Sequence, residues 1–488
     1  MSDVVRIVLG YVLFFGYMFL EIVVVEAIQK KFDLDKEMMR KVGHIFTGLC
    51  WVIAYFFLGW TIHLFIINAV GLLLLCIITF GDLMKSVERD DMGKSYGVVY
   101  FGASTLVVVA IVVFVNKSLF PYYGIAYYCL VLADGLAPIV ARLFKKHNLS
   151  LVHGKTLAGT ITVFLISALI ALVFSLIFSL HFSALLIFSF AALVAMAELF
   201  GAKGTDNFTI VFFAFGYLVL AHFGYLDVGT EIVILLMPVL TLFSIKAKAL
   251  TPWAQTVSYL ILLAFTLFGG YRLAVLVIAL FAVAAVVTKV SSRLFSQKTN
   301  APQKTARKSI QILANSSVAV SFAIAYFFSG AKWLLFVAFV VIIEEFADSM
   351  SSDVGRLAKN PPVDILRFKR VPAGTSGGVS LLGTVTALVA AFLAGLLALA
   401  FFKNPLLYVA ISGVAFLGTI VDSVLGSSLQ GIFKCPVCGA ITEKKVHCDV
   451  PTTLVKGFAA VDNSLVNFLS SAVSAGIASV VLLFSGIL

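Results

Sequence analysis

Charge is the scarcest property of this chain. Only 12% of its 488 residues are Asp, Glu, Lys or Arg, against 61% hydrophobic residues and a mean hydropathy of +1.09. Such a balance excludes a soluble globular domain, in which about a quarter of residues carry charge. Cysteine is also sparse, at six residues. Cys50, Cys76 and Cys129 lie in apolar runs, where a thiol acts as a small apolar group. Cys435, Cys438 and Cys448 fall in a loop that the charge pattern assigns to the cytosol, a reducing place, so a disulfide framework is excluded. The first apolar run has no small-residue cleavage site and is too long for a signal-peptide core, so it is expected to be retained.

What is abundant is long apolar runs, each the length of a helical membrane span. Sixteen candidates are expected: 4–28, 43–58, 61–80, 97–115, 120–141, 157–180, 183–200, 207–223, 229–245, 254–268, 272–288, 310–328, 332–347, 377–402, 405–424 and 463–487. The expected fold is therefore an all-α, polytopic integral membrane protein. If the first span runs inward, the inner loops hold 30 of the 35 Lys and Arg residues. That asymmetry is the positive-inside pattern and puts every long loop in the cytosol. It also gives the net charge of +11 a reading other than nucleic-acid binding.

Two segments match each other. Ala133-Asp134 is followed at fixed offsets by Val140, Arg142, Leu143 and Lys145, and Ala347-Asp348 by Val354, Arg356, Leu357 and Lys359. A carboxylate at the edge of hydrocarbon is costly and marks a functional site by default. Motif content divides the chain into 1–228 and 229–488, with a linker-like loop at 291–308 and a cytosolic Cys-rich loop at 431–460. Spans 229–288 carry almost no polar residues, and no chemistry is assigned to them.

In the first half, polar residues gather at one end of the spans: Arg40, Lys41 and His44; Asp134-Gly135; His153-Gly154-Lys155-Thr156 with Gly159; Glu198; and Asp206-Asn207. This set supports phosphoryl transfer from a nucleotide. Arg40, Lys41, Arg142 and Lys155 supply positive charge for phosphates. Asp134, Glu198, Asp206 and Asn207 supply oxygen ligands for Mg²⁺. Gly135, Gly154 and Gly159 permit close backbone approach, and Thr156 opens a helix whose N–H groups bind anions. A P-loop is excluded, because position 149 is Leu and no strand precedes Gly154-Lys155-Thr156.

The second half repeats the theme with Arg307-Lys308, Asp348, Asp353, Asp422 and Asp462-Asn463. Its Lys369 precedes Gly374-Thr375-Ser376-Gly377-Gly378, a Gly/Ser/Thr-rich stretch suited to cradling phosphate. Cys435 and Cys438, with His447-Cys448, have the spacing of a structural Zn²⁺ knuckle.

Arg40-Lys41-x-x-His44, Asp134-Gly135-Leu136-Ala137, Gly154-Lys155-Thr156-x-x-Gly159-Thr160 and Glu198 with Asp206-Asn207 resemble the motifs of the CTP-dependent polyprenol kinases, which include the phytol and dolichol kinases. The resemblance covers about 35–223; Ala158 departs from it where Glu is expected. Residues 307–315, 347–355, 371–384, 418–430 and 462–470 resemble a second family, long labelled a domain of unknown function, which includes the plastid phytyl-phosphate kinases. There Asp353 replaces the usual Glu.

Together the resemblances imply a bifunctional isoprenoid salvage enzyme. One half would phosphorylate an isoprenoid alcohol (phytol, farnesol or geranylgeraniol type) with CTP and Mg²⁺, and the other would phosphorylate the resulting isoprenyl phosphate. Asp134, Lys155, Glu198, Asp348, Asp353 and Asp422 are then the expected catalytic residues. The expected metal ligands are Asp134, Glu198, Asp206, Asn207, Asp348, Asp422, Asp462 and Asn463. Arg307, Lys308, Lys369 and Gly374–Gly378 would bind phosphate. Two rival readings are a CTP-using lipid-phosphate cytidylyltransferase and a secondary transporter built from two repeats.

Overall fold

Inside lipid no water is present to pair with backbone N–H and C=O groups, so an apolar run must satisfy its own as a helix. In the computed structural model these runs are mainly helical; the run 377–402 becomes helical at Leu381. The structure describes residues 2–33, 35–81, 96–144, 149–202, 204–299 and 306–486, without the side chains of Lys36, Glu37, Arg40, Lys298 and Thr299. Arg40, an expected phosphate ligand, thus has its side chain outside the described residues.

The chain forms two compact units, Met1–Leu240 and Thr241–Leu488. The first contains α1 (Asp3–Phe32), α2 (Lys36–Phe46), α3 (Gly48–Ile53), α4 (Ile62–Phe80), α5 (Gly97–Ala110), α6 (Phe120–Tyr128), α7 (Gly135–Leu143), α8 (Leu157–Ile177), α9 (Ala184–Phe200) and α10 (Asp206–His222). The division falls inside α11 (Val228–Ala247), later than the 228/229 boundary drawn from motifs. The second unit continues with α12 (Pro252–Thr299), α13 (Ser309–Ser329), α14 (Lys332–Gly355), α15 (Leu381–Phe402), α16 (Pro405–Ser428) and α17 (Asn463–Phe484).

Among the described residues, twelve helices are long and apolar enough to cross a membrane, and the chain is an integral multi-pass membrane protein. Two more apolar helices, α9 and α10, are shorter. α12 joins two expected spans across Gly270, whose φ of 78° breaks the helix. α14 also falls on an expected span, but Glu344, Glu345, Asp348 and Asp353 interrupt its apolar run.

Among the described residues, three short π-helical segments lie in the first unit: Ala54–Leu58, Ile111–Val115 and Cys129–Asp134. The last ends on Asp134. Such widened turns occur often at functional sites, and this one is followed by Pro138 inside α7, which has no N–H to give to the preceding turn.

The second unit adds small sheets outside the helices. β1 (Val363–Asp364) pairs antiparallel with β2 (Gly378–Val379). β3 (Ile432–Lys434), β4 (Ile441–Thr442), β5 (Val446–His447), β6 (Val450–Pro451) and β7 (Thr453–Lys456) form a ribbon. Its three-stranded sheet has the order β4-β3-β7, and β5 pairs with β6. Its short strands, unlike the spans, can pair outside lipid.

Candidate functional site

In the first unit, polar side chains from five segments meet at one end of the helices. Lys41 of α2 forms an ion pair with Asp134, which is 1% exposed. His44, one turn further along α2, brings Nδ1 to 3.9 Å from the same carboxylate. Lys155 extends from a turn closed by Leu151 N–H to Lys155 O and Leu157 N–H to Leu149 O. Its Nζ reaches Glu198 Oε1 at 2.6 Å and Asp206 Oδ2 at 3.0 Å.

Burial disfavours the charge on Lys155. The carboxylates of Glu198, Asp206 and Asp134 outweigh that effect and hold its pKa well above the usual lysine value. Asp206 in turn feels Lys41, so the two ion pairs form one network. Glu198 Oε2 is buried and has no hydrogen-bond partner.

Small residues allow this approach. A Cβ at Gly135 would lie 2.6 Å from Ile45 Cγ1. Thr156 caps α8 by accepting from Gly159 N–H at 3.3 Å, and Gly154 takes the turn before it with φ 76°.

Two expected ligands are employed otherwise. Asn207 donates Nδ2 to Gly97 O at 2.7 Å, and its backbone carbonyl accepts from Ser104 Oγ; these bonds tie α10 to α5. Arg142 pairs at 2.8 Å with Asp35 in a half-exposed contact. It is corrected from a phosphate contact to an ion pair at the periphery.

The second unit has a deeper acidic cluster that includes two residues missed in the sequence. Glu344 and Glu345 of α14 are 1% and 8% exposed. Ser470 of α17 donates to Glu344 Oε1 at 3.2 Å; Ser471 reaches Glu344 Oε2 at 3.3 Å and Glu345 Oε1 at 2.6 Å. Asp348 and Asp422 act electrostatically on both glutamates, and Arg307 on Glu345. Ser470 also serves Asp422. Glu344, Glu345 and Asp348 share one face of α14 by their three- and four-residue spacing. Gly418 makes room: a Cβ there would sit 2.2 Å from Ser474 Oγ and 2.5 Å from Glu344 Cγ. Ser474 Oγ and Glu345 Oε2 are buried without partners.

Beside this unit's helices, the Gly-rich loop is anchored by Asp364, which the sequence reading also missed. Its Oδ1 accepts from Leu366 N–H, Arg367 N–H and Ser427 Oγ, while Lys456 Nζ reaches Oδ2 at 3.0 Å. Burial alone would raise its pKa; the Ser427 hydroxyl, Lys456 and the two amides hold it well below the usual carboxylate range. Gly377 (φ 75°) packs where a Cβ would strike Ser427 at 2.4 Å. Ser376 Oγ donates to Glu443 at 2.6 Å. Gly374, Thr375, Gly378 and Lys369 lie on the same loop.

Other expected residues serve the fold. Asp353, an expected catalytic residue, accepts from Thr288 Oγ1 at 2.5 Å, about 140° around α14 from Asp348 by helical geometry, a bond that joins α14 to α12. Asp462 caps α17 by accepting from Leu465 N–H, and Asn463 donates to Asn467 Oδ1 at 3.1 Å. Both are exposed; Asp462 is the helix cap, and Asn463 bonds one turn along the same helix. Lys308 precedes α13, where its N–H donates to Gln311. Cys435, Cys438, His447 and Cys448 come together in the ribbon, with one ligand atom from each lying within 4.8 Å of the others.

Residues 235–475 match the model of the integral membrane protein family DUF92. An uncharacterized membrane protein of Methanocaldococcus jannaschii is 28% identical over 163 residues, 33% of this chain and 67% of that protein. An uncharacterized membrane protein of Synechocystis is 28% identical over 193 residues, 38% and 73% of the two chains. Protein PGR of Arabidopsis thaliana is 34% identical over 136 residues, 25% of this chain and 46% of that one. No solved structure matches the chain.

Proposed function

We propose that the protein is a bifunctional isoprenoid-salvage phosphotransferase that uses CTP and Mg²⁺ at the cytosolic face. The first unit would convert an isoprenoid alcohol to its monophosphate, and the second would convert the monophosphate to the diphosphate. The observation that carries this reading is the network of Lys41, Asp134, Lys155, Glu198 and Asp206, assembled from distant segments at one end of the helices. The motif resemblance to polyprenol kinases supports it in the first unit. In the second, the resemblance to the family that includes the phytyl-phosphate kinases overlaps the segment matched by DUF92.

The donor set suits Mg²⁺, since Asp134, Glu198 and Asp206 are hard oxygen ligands and Glu198 Oε2 has no partner. Bound Mg²⁺ would neutralise phosphate charge. Lys41 and Lys155 are placed to exchange carboxylate contacts for phosphate contacts. The acceptor hydroxyl oxygen then bonds to the γ-phosphorus, the bond to the β–γ bridging oxygen breaks, CDP leaves, and the hydroxyl proton passes to a carboxylate near Asp134. Charge neutralisation and positioning dominate such a transfer.

The test uses purified protein with CTP labelled in turn at the γ-phosphate and the cytidine, and each isoprenoid alcohol as acceptor. The γ-label is expected in the lipid. Cytidine label in the lipid would replace this reading by a cytidylyltransferase, and no label from any nucleoside triphosphate would sink both.

One observation favours a second reading for the second unit. Glu344 sits about 18 Å along α14 from Lys332, at ~1.5 Å per residue, and that is the middle of the helix. Buried acids at such depth mark ion and substrate pathways in transporters. Nucleotide-independent flux into proteoliposomes would establish that alternative.

A further inference from the structure

The ribbon at 431–460 sits outside the proposed catalytic chemistry, and its composition leaves it short of a core. Val437, Ile441, Val446, Leu454, Val455 and Phe458 are all exposed. Only Ile432 and Phe433 are large apolar side chains buried in it, and about thirty residues with so small an apolar interior fold alone only when stapled by a metal, disulfides or a partner. Three cysteines and one histidine converge where such a staple would sit. Cys438 Sγ and Cys448 Sγ approach His447 Nδ1 at 3.4 and 3.3 Å, close to the ~3.6 Å S···N separation of tetrahedral zinc with Zn–S near 2.3 Å and Zn–N near 2.0 Å.

The chain around Cys435 has the form of a metal knuckle. Gly439 N–H bonds to Cys435 O and Cys435 N–H to Ala440 O, both at 2.9 Å. Gly439 takes φ 71°, which returns the chain after the second thiol. Cys448 and Asp449 hold positive φ (53° and 57°), a strained pair that aims the fourth ligand back at the first three.

The ribbon also grips the Gly-rich loop twice. Lys456 of β7 holds the buried Asp364 of β1, and Glu443, between β4 and β5, holds Ser376. The strand that leads into Cys435, β3, is continuous with α16 through Gln430 and Gly431: Gly431 N–H bonds Val461 O and Phe458 N–H bonds Leu429 O.

We propose that Cys435, Cys438, His447 and Cys448 bind one Zn²⁺, and that this metal-folded ribbon is the brace that holds the Gly374–Gly378 loop in its conformation. Soft thiolates with one imidazole in a closed tetrahedral set select zinc over hard cations and leave no open coordination position. The role is therefore structural. The inference stands whether or not the chain transfers phosphate.

The experiment takes the full-length protein in detergent, purified without chelator, and measures metal content together with hydrogen exchange across residues 372–380. About one zinc per chain is expected, falling below about 0.2 in Cys438→Ser/His447→Ala. Stripping wild-type protein with a strong chelator should raise exchange in 372–380 at least tenfold, leave α13 unchanged, and be reversed by added Zn²⁺. This chelation arm decides the matter if the double variant fails to insert. Lys456→Met should keep the zinc while loosening the same loop. Iron in place of zinc, or absence of metal from protein with free thiols, would overturn the site. Zinc removal without any change in loop exchange would overturn the brace.

Discussion

In the first unit, Thr156 caps α8 by accepting from Gly159 N–H, and a Cβ on Gly159 would face the carbonyl of Ala137, three residues after Asp134. In the second, Ser380 caps α15 by accepting from Gly383 N–H, and a Cβ on Gly383 would face the carbonyl of Ser351, three residues after Asp348. In both, a hydroxyl-capped helix start is pressed against the turn following the aspartate, with glycine at the contact. In both, a helix with an acid in its C-terminal part (Glu198 in α9, Asp422 in α16) comes next, and an Asp-Asn pair then stands at a helix start (Asp206-Asn207, Asp462-Asn463). The recurrence argues for internal duplication on geometric grounds beyond the matching letters.

What differs is how the acids are neutralised. The first unit answers Asp134, Glu198 and Asp206 with Lys41 and Lys155. The second answers Glu344 and Glu345 with the hydroxyls of Ser470 and Ser471. A lysine network presents cations that can move to phosphates. A hydroxyl-lined acid cluster offers no such cation, and in the proposed reaction the phosphate contacts of the second unit would fall to Arg307 and the Gly-rich loop. The same helix start thus stands beside acids paired with lysines in one unit and beside acids paired with hydroxyls in the other.

The largest effect should come from removing the bridging cation. Lys155→Met leaves Glu198 and Asp206 buried and unpaired, and is expected to destabilise the first unit by about 3–5 kcal/mol. Lys155→Met with Glu198→Gln should recover part of that loss. Thermal unfolding of the three proteins checks it, and equal melting temperatures would remove the lysine from the account. Next in size, Gly418→Ala drives a methyl into Ser474 and Glu344 and should cost about 1–3 kcal/mol. In the first unit, Gly135→Ala meets the side chain of Ile45 and should cost a comparable amount. Smallest of all, Thr156→Ala and Ser380→Ala should each cost about 1 kcal/mol through the lost cap. Unequal costs, one near zero, would break the claimed equivalence of the two helix starts.

Much of this was legible in the sequence, because helices in lipid announce themselves by apolar length alone. Asp134, Lys155, Glu198 and Asp206 stood out as polar residues at span ends, and they do meet. The Cys435, Cys438, His447 and Cys448 set followed from its spacing. Glu344 and Glu345 were hidden because eight consecutive apolar residues, Phe336–Ile343, precede them and they read as the tail of a span. Ser470 and Ser471 passed for small span residues, since a hydroxyl's partner lies on another helix and leaves no periodic trace. Asp364 sits in no motif at all; its importance comes from Ser427 and Lys456, 63 and 92 residues away. Asp353 and Asn207 erred the other way, being conspicuous acids or amides that packing employs between helices.

The central claim, one reaction per unit, is tested most directly by assaying Asp134→Asn and Asp348→Asn separately with an isoprenoid alcohol and with its monophosphate. The account predicts that Asp134→Asn abolishes phosphorylation of the alcohol while monophosphate is still converted to diphosphate, and that Asp348→Asn makes the monophosphate accumulate. Retention of both activities in either variant, or loss of both in each correctly folded variant, would contradict it.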